Sequence, residues 1–387
     1  MKAHQRKPYL VLGAGMMGGA IVYDLLHSTS KDSITVADSN LEKAGDLANF
    51  LKSKRVSVVR LDVQNYSDVV ALMEQHTVAI SAVPFRFNYD LVKAAIEAKT
   101  HFCDLGHNDE IVAKQLSEKT NAIEADICAI ANCGLAPGLA NILAMYAHDQ
   151  FEKVDSVNIR VGGLPQHPKP PLFYQSVFSL DGLLEEYTSP VKILRNGKIQ
   201  HVEPMSEPEE ISFPAPFGSL EAFHTAGGTS RIPELLQGKV RAVEYKTIRF
   251  KGHCAKMKAL LEVGFADDEV LSLGNQVITI REVFLELLKK RLTFNDTDVV
   301  LLSVLVAGTR NRERTKLRYR MIERYDEQTK MTAMMRTTAF PASIIAQMLE
   351  DGSMEERGVF TAEEVVPGDA MLEEVRKRGF VIEEKYL

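Results

Sequence analysis

Three glycines near the start of the chain have the spacing of a phosphate-binding turn. Gly13, Gly15 and Gly18 form a G-x-G-x-x-G pattern, with Met16 and Met17 inside it. The first glycine permits a tight turn, the second lets the backbone approach a pyrophosphate, and the third lets a helix pack on the preceding strand. The N-terminus of that helix then faces the phosphates. The pattern therefore predicts a dinucleotide-binding site.

An acidic residue narrows the choice of dinucleotide. Asp38 ends an apolar run twenty residues after Gly18. A carboxylate at that distance accepts hydrogen bonds from a ribose 2′-hydroxyl and repels a 2′-phosphate, which favours NAD over NADP. In an alternative interpretation, Asp38 is an exposed residue that caps the helix expected to begin near Leu41. Lys43 lies close in sequence and would weaken the repulsion of a phosphate.

An alternation of short apolar runs and amphipathic segments supplies the framework for these residues. The predicted strands cover 10–12, 33–38, 56–61, 78–83, 101–105 and 127–131, and the predicted helices between them cover 41–53, 66–75, 89–99 and 108–125. This order predicts an α/β fold, a Rossmann doubly wound parallel sheet with right-handed crossovers. Ligand contacts are expected at the carboxyl ends of its strands.

Those strand ends carry further candidate cofactor-binding residues. By their position in such a sheet, Asp62 and Val63 are expected beside the adenine, and Ser81, Val83 and Pro84 beside the nicotinamide ribose. Pro84 has a second interpretation as the residue that ends its strand, because proline cannot continue a hydrogen-bonded ladder.

The pattern changes after residue 134. Antiparallel strands are expected at 154–162 and 191–202, the latter folded at Asn196-Gly197, and at 299–307 paired with 316–323 across a basic turn interpreted as a solvated loop. A helix at 337–349, broken near its start by Pro341, follows. We therefore expect a dinucleotide-binding domain at 1–134, an inserted α+β substrate and assembly domain at 135–334, and a segment at 335–387 that returns to the first domain.

Composition limits the classes of partner. The chain has 387 residues, enough for two domains, and its net charge of −6 gives no basic surface for nucleic acid. Its 4 cysteines form no CxxC motif and no zinc-type spacing with histidine, so we expect no metal and a reduced, cytoplasmic compartment. No apolar run is suited to span a membrane. Exposed edge strands of the sheet in the second domain can pair with another chain, and we therefore expect a homo-oligomer, a dimer or higher.

Several ordered stretches resemble the saccharopine dehydrogenase family, most closely its NAD-dependent lysine 6-dehydrogenase members. They are spread over most of the chain, and the pair at 133–138 and 246–253 is the most specific. The stretches are Val11–Gly18, Asp104-Leu-Gly106, Cys133-Gly-Leu-Ala-Pro-Gly138, 178–187, Phe223-His-Thr-Ala-Gly-Gly-Thr-Ser230, Lys246-Thr-Ile-Arg-Phe-Lys-Gly-His253 and 337–347.

The resemblance implies a nicotinamide-dependent oxidation of a carbon that bears an amine. In the lysine 6-dehydrogenase branch, NAD oxidises the ε-carbon of L-lysine to an imine. Hydrolysis then releases ammonia, and the aldehyde, allysine, cyclises to piperideine-6-carboxylate. Members of the family that form saccharopine typically carry a basic residue after the second strand, where this chain has Asp38.

Such a reaction needs a base, because a protonated amine does not give up hydride easily and water must later be activated. Asp104 and His107, at a strand end expected near the nicotinamide, are the candidate catalytic residues. In the alternative interpretation, Asp104 caps the helix expected near Asn108, and His107 fills the loop.

An amino-acid substrate also needs a cation for its carboxylate, and a bidentate arginine suits this best. Arg231 is the candidate, with His224 and Thr225 as donors for the same carboxylate; a surface arginine after a glycine loop is the alternative. Tyr174 and Glu185 are candidates for contacts with the substrate amines. In the alternative interpretation, Tyr174 packs in the interior and Glu185 lies on a solvated helix face. Cys133 is expected only to line the pocket. Lys246 and His253 are given no catalytic role.

Two other functions remain open from the sequence. One is a saccharopine reductase-like or carboxynorspermidine synthase-like reductive condensation, which needs a second positive cluster for a second carboxylate. The other is a non-catalytic NAD-binding protein.

Overall fold

The strand and helix alternation of the first part of the chain forms a parallel sheet. In the computed structural model, which describes residues 7–30, 33–106, 108–274, 276–293 and 296–387, the chain divides into two units. Unit 1 comprises Met1–Tyr146 and Met335–Gly379, and unit 2 comprises Ala147–Met334 and Phe380–Leu387.

Unit 1 begins with six strands and the helices that connect them. In chain order these elements are β1 (Lys7–Leu12), α1 (Met16–Ser28), β2 (Ile34–Asp38), α2 (Leu41–Leu51), β3 (Val56–Arg60), α3 (Tyr66–Met73), β4 (His76–Ser81), α4 (Asn88–Ala98), β5 (His101–Asp104), α5 (Asp109–Ser117), α6 (Lys119–Glu124), β6 (Cys128–Ala131) and α7 (Leu139–His148). The short strands consist mostly of apolar residues, because helices cover both faces of a parallel sheet and bury the side chains on each face. Residues 9–12 of β1 are all buried.

The elements of unit 2 follow in the chain. They are β7 (Lys153–Pro165), α8 (Leu180–Thr188), β8 (Val191–Arg195), β9 (Lys198–Val202), β10 (Glu209–Phe213), β11 (Gly218–His224), α9 (Ile232–Leu236), β12 (Ala242–Arg249), α10 (His253–Glu262), β13 (Val270–Leu273), β14 (Gln276–Thr279), α11 (Ile280–Leu292), β15 (Asp298–Arg310) and β16 (Glu313–Arg324). The last elements are α12 (Ala333–Glu350), β17 (Gly358–Thr361), α13 (Ala362–Val365), α14 (Gly368–Lys377) and β18 (Ile382–Tyr386).

The sheet of unit 1 has seven strands in the order β17-β6-β5-β4-β1-β2-β3, all parallel. The strand order reverses at β1, which lies between β2 and β4. Such a switch point opens a crevice at the carboxyl ends of the strands, where doubly wound sheets bind their ligands.

The sheet of unit 2 is mixed. Its order is β10-β11-β12-β7-β15-β16-β18, with the β8–β9 hairpin attached to β12. The pair β12 and β7 is parallel and the other neighbours are antiparallel. This architecture confirms the predicted combination of a parallel Rossmann-type sheet with a second α+β unit.

Three local expectations differ from the structure. The basic turn is mostly strand, because β15 and β16 continue to Arg310 and Glu313 and leave a two-residue turn with positive φ at Asn311 and Arg312. Pro341 lies inside the single helix α12 and does not break it. The predicted helix at 108–125 is two helices, α5 and α6.

The C-terminal part of the chain contributes to both units. Residues 335–379 belong to unit 1, where β17 pairs with β6, and the last eight residues belong to unit 2, where β18 pairs with β16. Within unit 1, Arg378 donates from Nε to both carboxylate oxygens of Asp24, at 2.8 and 2.9 Å, which ties the end of α14 to α1. The first division falls within α7, twelve residues after the boundary expected at 134.

Among the helices of the described residues, none combines the length and the apolar character that crossing a bilayer requires.

Candidate functional site

The glycine turn lies at the switch point of the sheet of unit 1. Gly13 follows β1 with φ of +101°, and a Cβ there would lie 2.8 Å from the carbonyl oxygen of Ala82. A Cβ on Gly18 would lie 1.8 Å from the carbonyl oxygen of Gly13, so α1 packs directly on the turn. Only glycine permits both the conformation at Gly13 and the contact at Gly18.

The open side of this turn fits an anionic group. A Cβ on Gly15 would meet, within 4 Å, only the Nζ atom of Lys43 at 3.7 Å. Helix α1 begins at Met16 without a capping side chain and without an acidic residue in its first turn. Its first backbone N–H groups therefore suit a phosphate. Met16 is exposed beside the turn, and Met17 is half-buried.

Asp38 ends β2 next to this turn. Its Oδ2 accepts a hydrogen bond from the backbone N of Ala14 at 2.7 Å, and its Oδ1 accepts one from Asn40 N at 2.9 Å. The expectation that Asp38 caps α2 is wrong, because Asn40 is the cap and its side chain accepts from Lys43 N at 3.1 Å. The glycine turn and the acidic residue predicted from spacing alone are thus joined by a direct hydrogen bond.

The other predicted cofactor-binding residues lie at the same edge of the sheet, with different exposure. Asp62 and Pro84 are exposed, and Val63 is half-buried. The Val83 side chain lies 3.2 Å from where a Cβ of Gly13 would be. Ser81 is 1% exposed and its hydroxyl donates to Asn88 Oδ1 at 2.7 Å, which ties the end of β4 to α4.

The turn after β5 encloses Asp104. The side chain is completely buried, and it accepts hydrogen bonds from Gly106 N at 2.7 Å and Gln115 Nε2 at 2.6 Å. Burial raises the pKa of Asp104 to about 6, against the opposing effect of these donors and of Asn132 N. Its carboxylate fixes the turn after β5, and a catalytic role for Asp104 stays a prediction. His107, the second candidate, lies outside the described residues.

Cys133 lies in the interior of the structure. The residue is completely buried, its Sγ donates to the Ile130 carbonyl at 3.3 Å, and burial raises the pKa of the thiol well above its usual range. It therefore packs inside unit 1 as an inert side chain.

His224 and Thr225 were predicted to act together and are separated in unit 2. Thr225 Oγ1 lies 2.7 Å from Thr247 Oγ1, in a buried hydroxyl pair. His224 ends β11 and approaches Glu207, with its Nε2 3.4 Å from a carboxylate oxygen. The two side chains thus have different partners, and a shared role in binding a ligand carboxylate stays a prediction.

The three remaining candidates differ in burial. Arg231 is half-buried and directly precedes α9. Tyr174 is 1% exposed and its ring lies 4.6 Å from the guanidinium carbon of Arg249. Glu185 is half-buried on α8.

Arg249 is the charged residue that the sequence reasoning missed. It ends β12, is 2% exposed, and donates from Nε to the Tyr187 hydroxyl at 2.8 Å. No carboxylate of the described chain lies within ion-pair distance of it. Arg249 belongs to the family-like stretch at 246–253, so its position at a strand end was a signal that could have been used.

A chain of hydrogen bonds through Tyr187 and His253 fixes the position of Arg249. His253 Nδ1 lies 2.8 Å from the Leu172 carbonyl, which requires the proton on Nδ1 and leaves Nε2 to accept from Tyr187 at 3.1 Å. Burial and the charge of Arg249 lower the pKa of His253 to about 3, so the imidazole stays neutral. Arg249 Nη1 also donates to the Ile248 carbonyl at 2.9 Å. Burial lowers the pKa of Arg249, but nearby groups, Glu186 among them by its charge, raise it by more. The donors that remain on this fixed, buried guanidinium can bind a ligand carboxylate.

Comparison with known proteins agrees with both units. Residues 9–130 match the saccharopine dehydrogenase NADP binding domain, and residues 134–380 match the saccharopine dehydrogenase C-terminal domain. The structure of apo saccharopine dehydrogenase (L-Glu forming) from Saccharomyces cerevisiae superposes with a TM-score of 0.83 over 98% of this chain and 100% of that one, at 19% sequence identity.

Two curated relatives extend this comparison. Saccharopine dehydrogenase [NADP(+), L-glutamate-forming] of Saccharomyces cerevisiae is 26% identical over 74% of this chain and 65% of the relative. The match thus spans slightly less than two thirds of that relative's length. Carboxyaminopropylagmatine dehydrogenase of Synechocystis is 22% identical over 96% of this chain and 95% of the relative.

The two domain matches together cover nearly all of the chain, and the structure has the fold that accompanies them. The unit that carries the glycine turn is therefore of the type that binds a nicotinamide dinucleotide, and the chain belongs to the saccharopine dehydrogenase family.

Proposed function

We propose that this protein is an NAD-dependent amine dehydrogenase that oxidises the ε-carbon of L-lysine. The observation that carries the cofactor preference is the Asp38 carboxylate at the end of β2, oriented by the Ala14 N–H of the glycine turn. A charge at that position repels a 2′-phosphate and accepts from a 2′-hydroxyl. The family match does not decide between the two cofactors, and the fungal relatives are named for NADP.

The choice of an amino acid as substrate rests on Arg249 and on the resemblance of the sequence to lysine 6-dehydrogenases. Arg249 offers a fixed guanidinium for the α-carboxylate, stacked on the Tyr174 ring. NAD, when bound, supplies the acceptor for the hydride that leaves the ε-carbon. The nitrogen loses a proton to a base, and water then adds to the imine carbon and ammonia leaves, which gives allysine and its cyclic form.

The chain has two tasks in this reaction besides binding. It must remove a proton from the ε-ammonium and activate water, both by general base catalysis. Asp104 is buried and hydrogen-bonded within its own turn, and Asp104 and His107 both stay predicted bases. Asp104 also holds the turn that leads to position 107 through its bond with Gly106 N.

A second candidate function is a reductive condensation of the saccharopine or carboxyaminopropylagmatine type. The names of the relatives favour it, especially the Synechocystis protein, which matches along nearly the whole of both chains. That reaction joins two substrates, and a second carboxylate needs a second cation besides Arg249.

The test is a screen of NAD and NADP against lysine, ornithine and saccharopine at alkaline pH. We expect NADH to form with lysine. Turnover of saccharopine without turnover of lysine would replace the proposal with the second candidate. Tight binding of NAD without turnover of any amine would indicate a non-catalytic NAD-binding protein.

A further inference from the structure

One face of the sheet in unit 2 carries a charged cavity that the proposed reaction does not use. The cavity has a volume of about 470 Å³, and its lining includes Asn158, Ser212, Ser303, Leu305, Arg318 and Arg320. Three glutamates, at positions 209, 210 and 244, also line it, together with Arg160, Ile211 and Leu387.

The register of the sheet brings the cations of this cavity onto one face. Ser303 of β15 lies opposite Arg160 of β7 and Arg320 of β16. Leu305, two residues along β15, lies opposite Asn158 and Arg318. Residues that are paired across strands, or two apart on one strand, point to the same side of a sheet. These side chains therefore converge on the cavity.

The acidic residues of the cavity already have partners. Arg160 donates from Nε to Glu209 at 2.5 Å and from Nη2 to Glu244. Glu209 also accepts from Lys246 at 3.0 Å, and Glu210 pairs with Lys251 at 2.8 Å. Each glutamate is thus matched by a cation other than Arg318 and Arg320.

Arg318 and Arg320 are weakly neutralised. Arg318 has one loose ion pair, 3.6 Å from the half-exposed Glu383. Arg320 has no carboxylate within 4 Å among the described residues, and its Nη2 has only a long contact, 3.4 Å, with the Ser212 carbonyl. The Nε atoms of both arginines are buried and lack an acceptor in the described chain. Burial and the charge of Arg318 lower the pKa of Arg320, as expected for two close guanidinium groups.

From this arrangement we infer a second ligand site in unit 2, in which Arg318 and Arg320 bind a phosphate or carboxylate group of a small organic anion. Two guanidinium groups with unused donors suit the several oxygens of such a group. Ser303, which lies opposite Arg160 and Arg320 on the neighbouring strands, supplies a further hydroxyl donor. The volume leaves room for a metabolite larger than the anionic group itself.

Isothermal titration of the full chain with inorganic phosphate, at an ionic strength held constant with chloride, tests this inference. Malonate in a parallel titration distinguishes a carboxylate ligand from a phosphate ligand by which of the two binds more tightly. The double variant Arg318→Gln/Arg320→Gln removes both cations. Arg324→Gln is the matched control, because Arg324 lies on the same strand, away from the cavity, with its guanidinium over the Phe217 ring.

We expect the wild type and Arg324→Gln to bind at least one probe about tenfold more tightly than the double variant, since charged hydrogen bonds are lost there. Phosphate bound at the glycine turn of unit 1 would be unaffected by these changes. Equal affinity in all three proteins would overturn the inference, and so would the absence of binding of both probes to the wild type. Thermal unfolding without added anion shows whether the double variant is folded.

Discussion

At the scale of single residues, Asp38 determines the expected cofactor preference. Its oxygens accept from Ala14 N and Asn40 N, so the carboxylate is held beside the glycine turn. Replacing Asp38 with Asn keeps an acceptor for Ala14 N and removes the charge. We expect the ratio of kcat/KM for NAD to that for NADP to fall by about tenfold or more, because the repulsion of a 2′-phosphate is lost.

The control for this change is Asp46→Asn, which removes an exposed charge from α2, the helix that follows Asp38. Steady-state kinetics with both cofactors measure the ratio. A ratio that is the same in Asp38→Asn and in the wild type would remove Asp38 from the ribose site.

Arg249 carries the proposed binding of the substrate carboxylate. Arg249→Lys keeps the positive charge and loses the bond from Nε to Tyr187 and the planar stacking on Tyr174. We expect KM for the amino acid to rise by about tenfold or more while KM for NAD is unchanged. Tyr187→Phe, which removes only the hydroxyl that orients Arg249, should give a smaller rise in the same constant. Equal changes in both KM values would indicate a general loss of structure and contradict this role.

At the scale of elements, the contact of α1 with β1 depends on the absence of a side chain at Gly18. A Cβ there would overlap the Gly13 carbonyl oxygen, at 1.8 Å. Gly18→Ala should therefore destabilise the protein by about 1–3 kcal/mol and weaken dinucleotide binding. The matched control is Gly45→Ala in α2, where a Cβ would meet nothing within 4 Å. There we expect a gain of about 0.5–1 kcal/mol, because alanine favours helix over glycine. Urea unfolding compares the two, and similar effects of both changes would disprove the packing argument.

The attachment of β10 to the sheet of unit 2 depends on ionised Glu209. Burial raises the pKa of Glu209, but the hydrogen bonds and charges of Arg160 and Lys246 lower it by more, so that the net pKa lies below the usual value. As the pH falls, the Glu209 carboxylate is therefore protonated in the unfolded chain at a higher pH than in the folded chain. The stability that Glu209 contributes is present above about pH 4.5 and is lost as the pH falls through the lower pKa of the folded state.

Glu209→Gln should consequently unfold at lower urea concentration at pH 7 and show a shallower loss of stability as the pH falls below about 4.5. Urea midpoints measured across that range provide the test, with the exposed Glu313→Gln at the β15–β16 turn as control. A pH profile of Glu209→Gln parallel to that of the wild type would show that the ion pairs with Glu209 add nothing.

At the scale of the whole molecule, the end of the chain is divided between the two units. Phe380 and Ile382, both buried, and the pairing of β18 with β16 belong to unit 2. A chain that ends at Gly379 should keep all elements of unit 1 and leave the edge of β16 uncovered. We expect NAD binding to persist while unit 2 becomes more sensitive to limited proteolysis. Val381→Ala, at an exposed position, is the control. Loss of NAD binding together with proteolysis of unit 1 would contradict this division.

The sequence by itself determined the features that depend on neighbours in the chain. The strand-turn-helix at Gly13 to Gly18, the spacing to Asp38 and the Asn196-Gly197 hairpin follow from local backbone conformation and periodicity, and the structure has all three. The parallel arrangement of unit 1 followed from the regular alternation of strands and helices. These patterns can be recognised in the sequence because the backbone conformation of each residue there depends on residues a few positions away.

Only the tertiary structure decided which side chains meet. Asp104 and Cys133 are enclosed inside unit 1, and His224 and Thr225 have different hydrogen-bonding partners. Arg249 acquired its surroundings from Tyr174, Tyr187 and His253, which are 75, 62 and 4 positions away in the chain. Whether a charged side chain is enclosed, paired or available depends on such distant segments, and no local pattern contains that information.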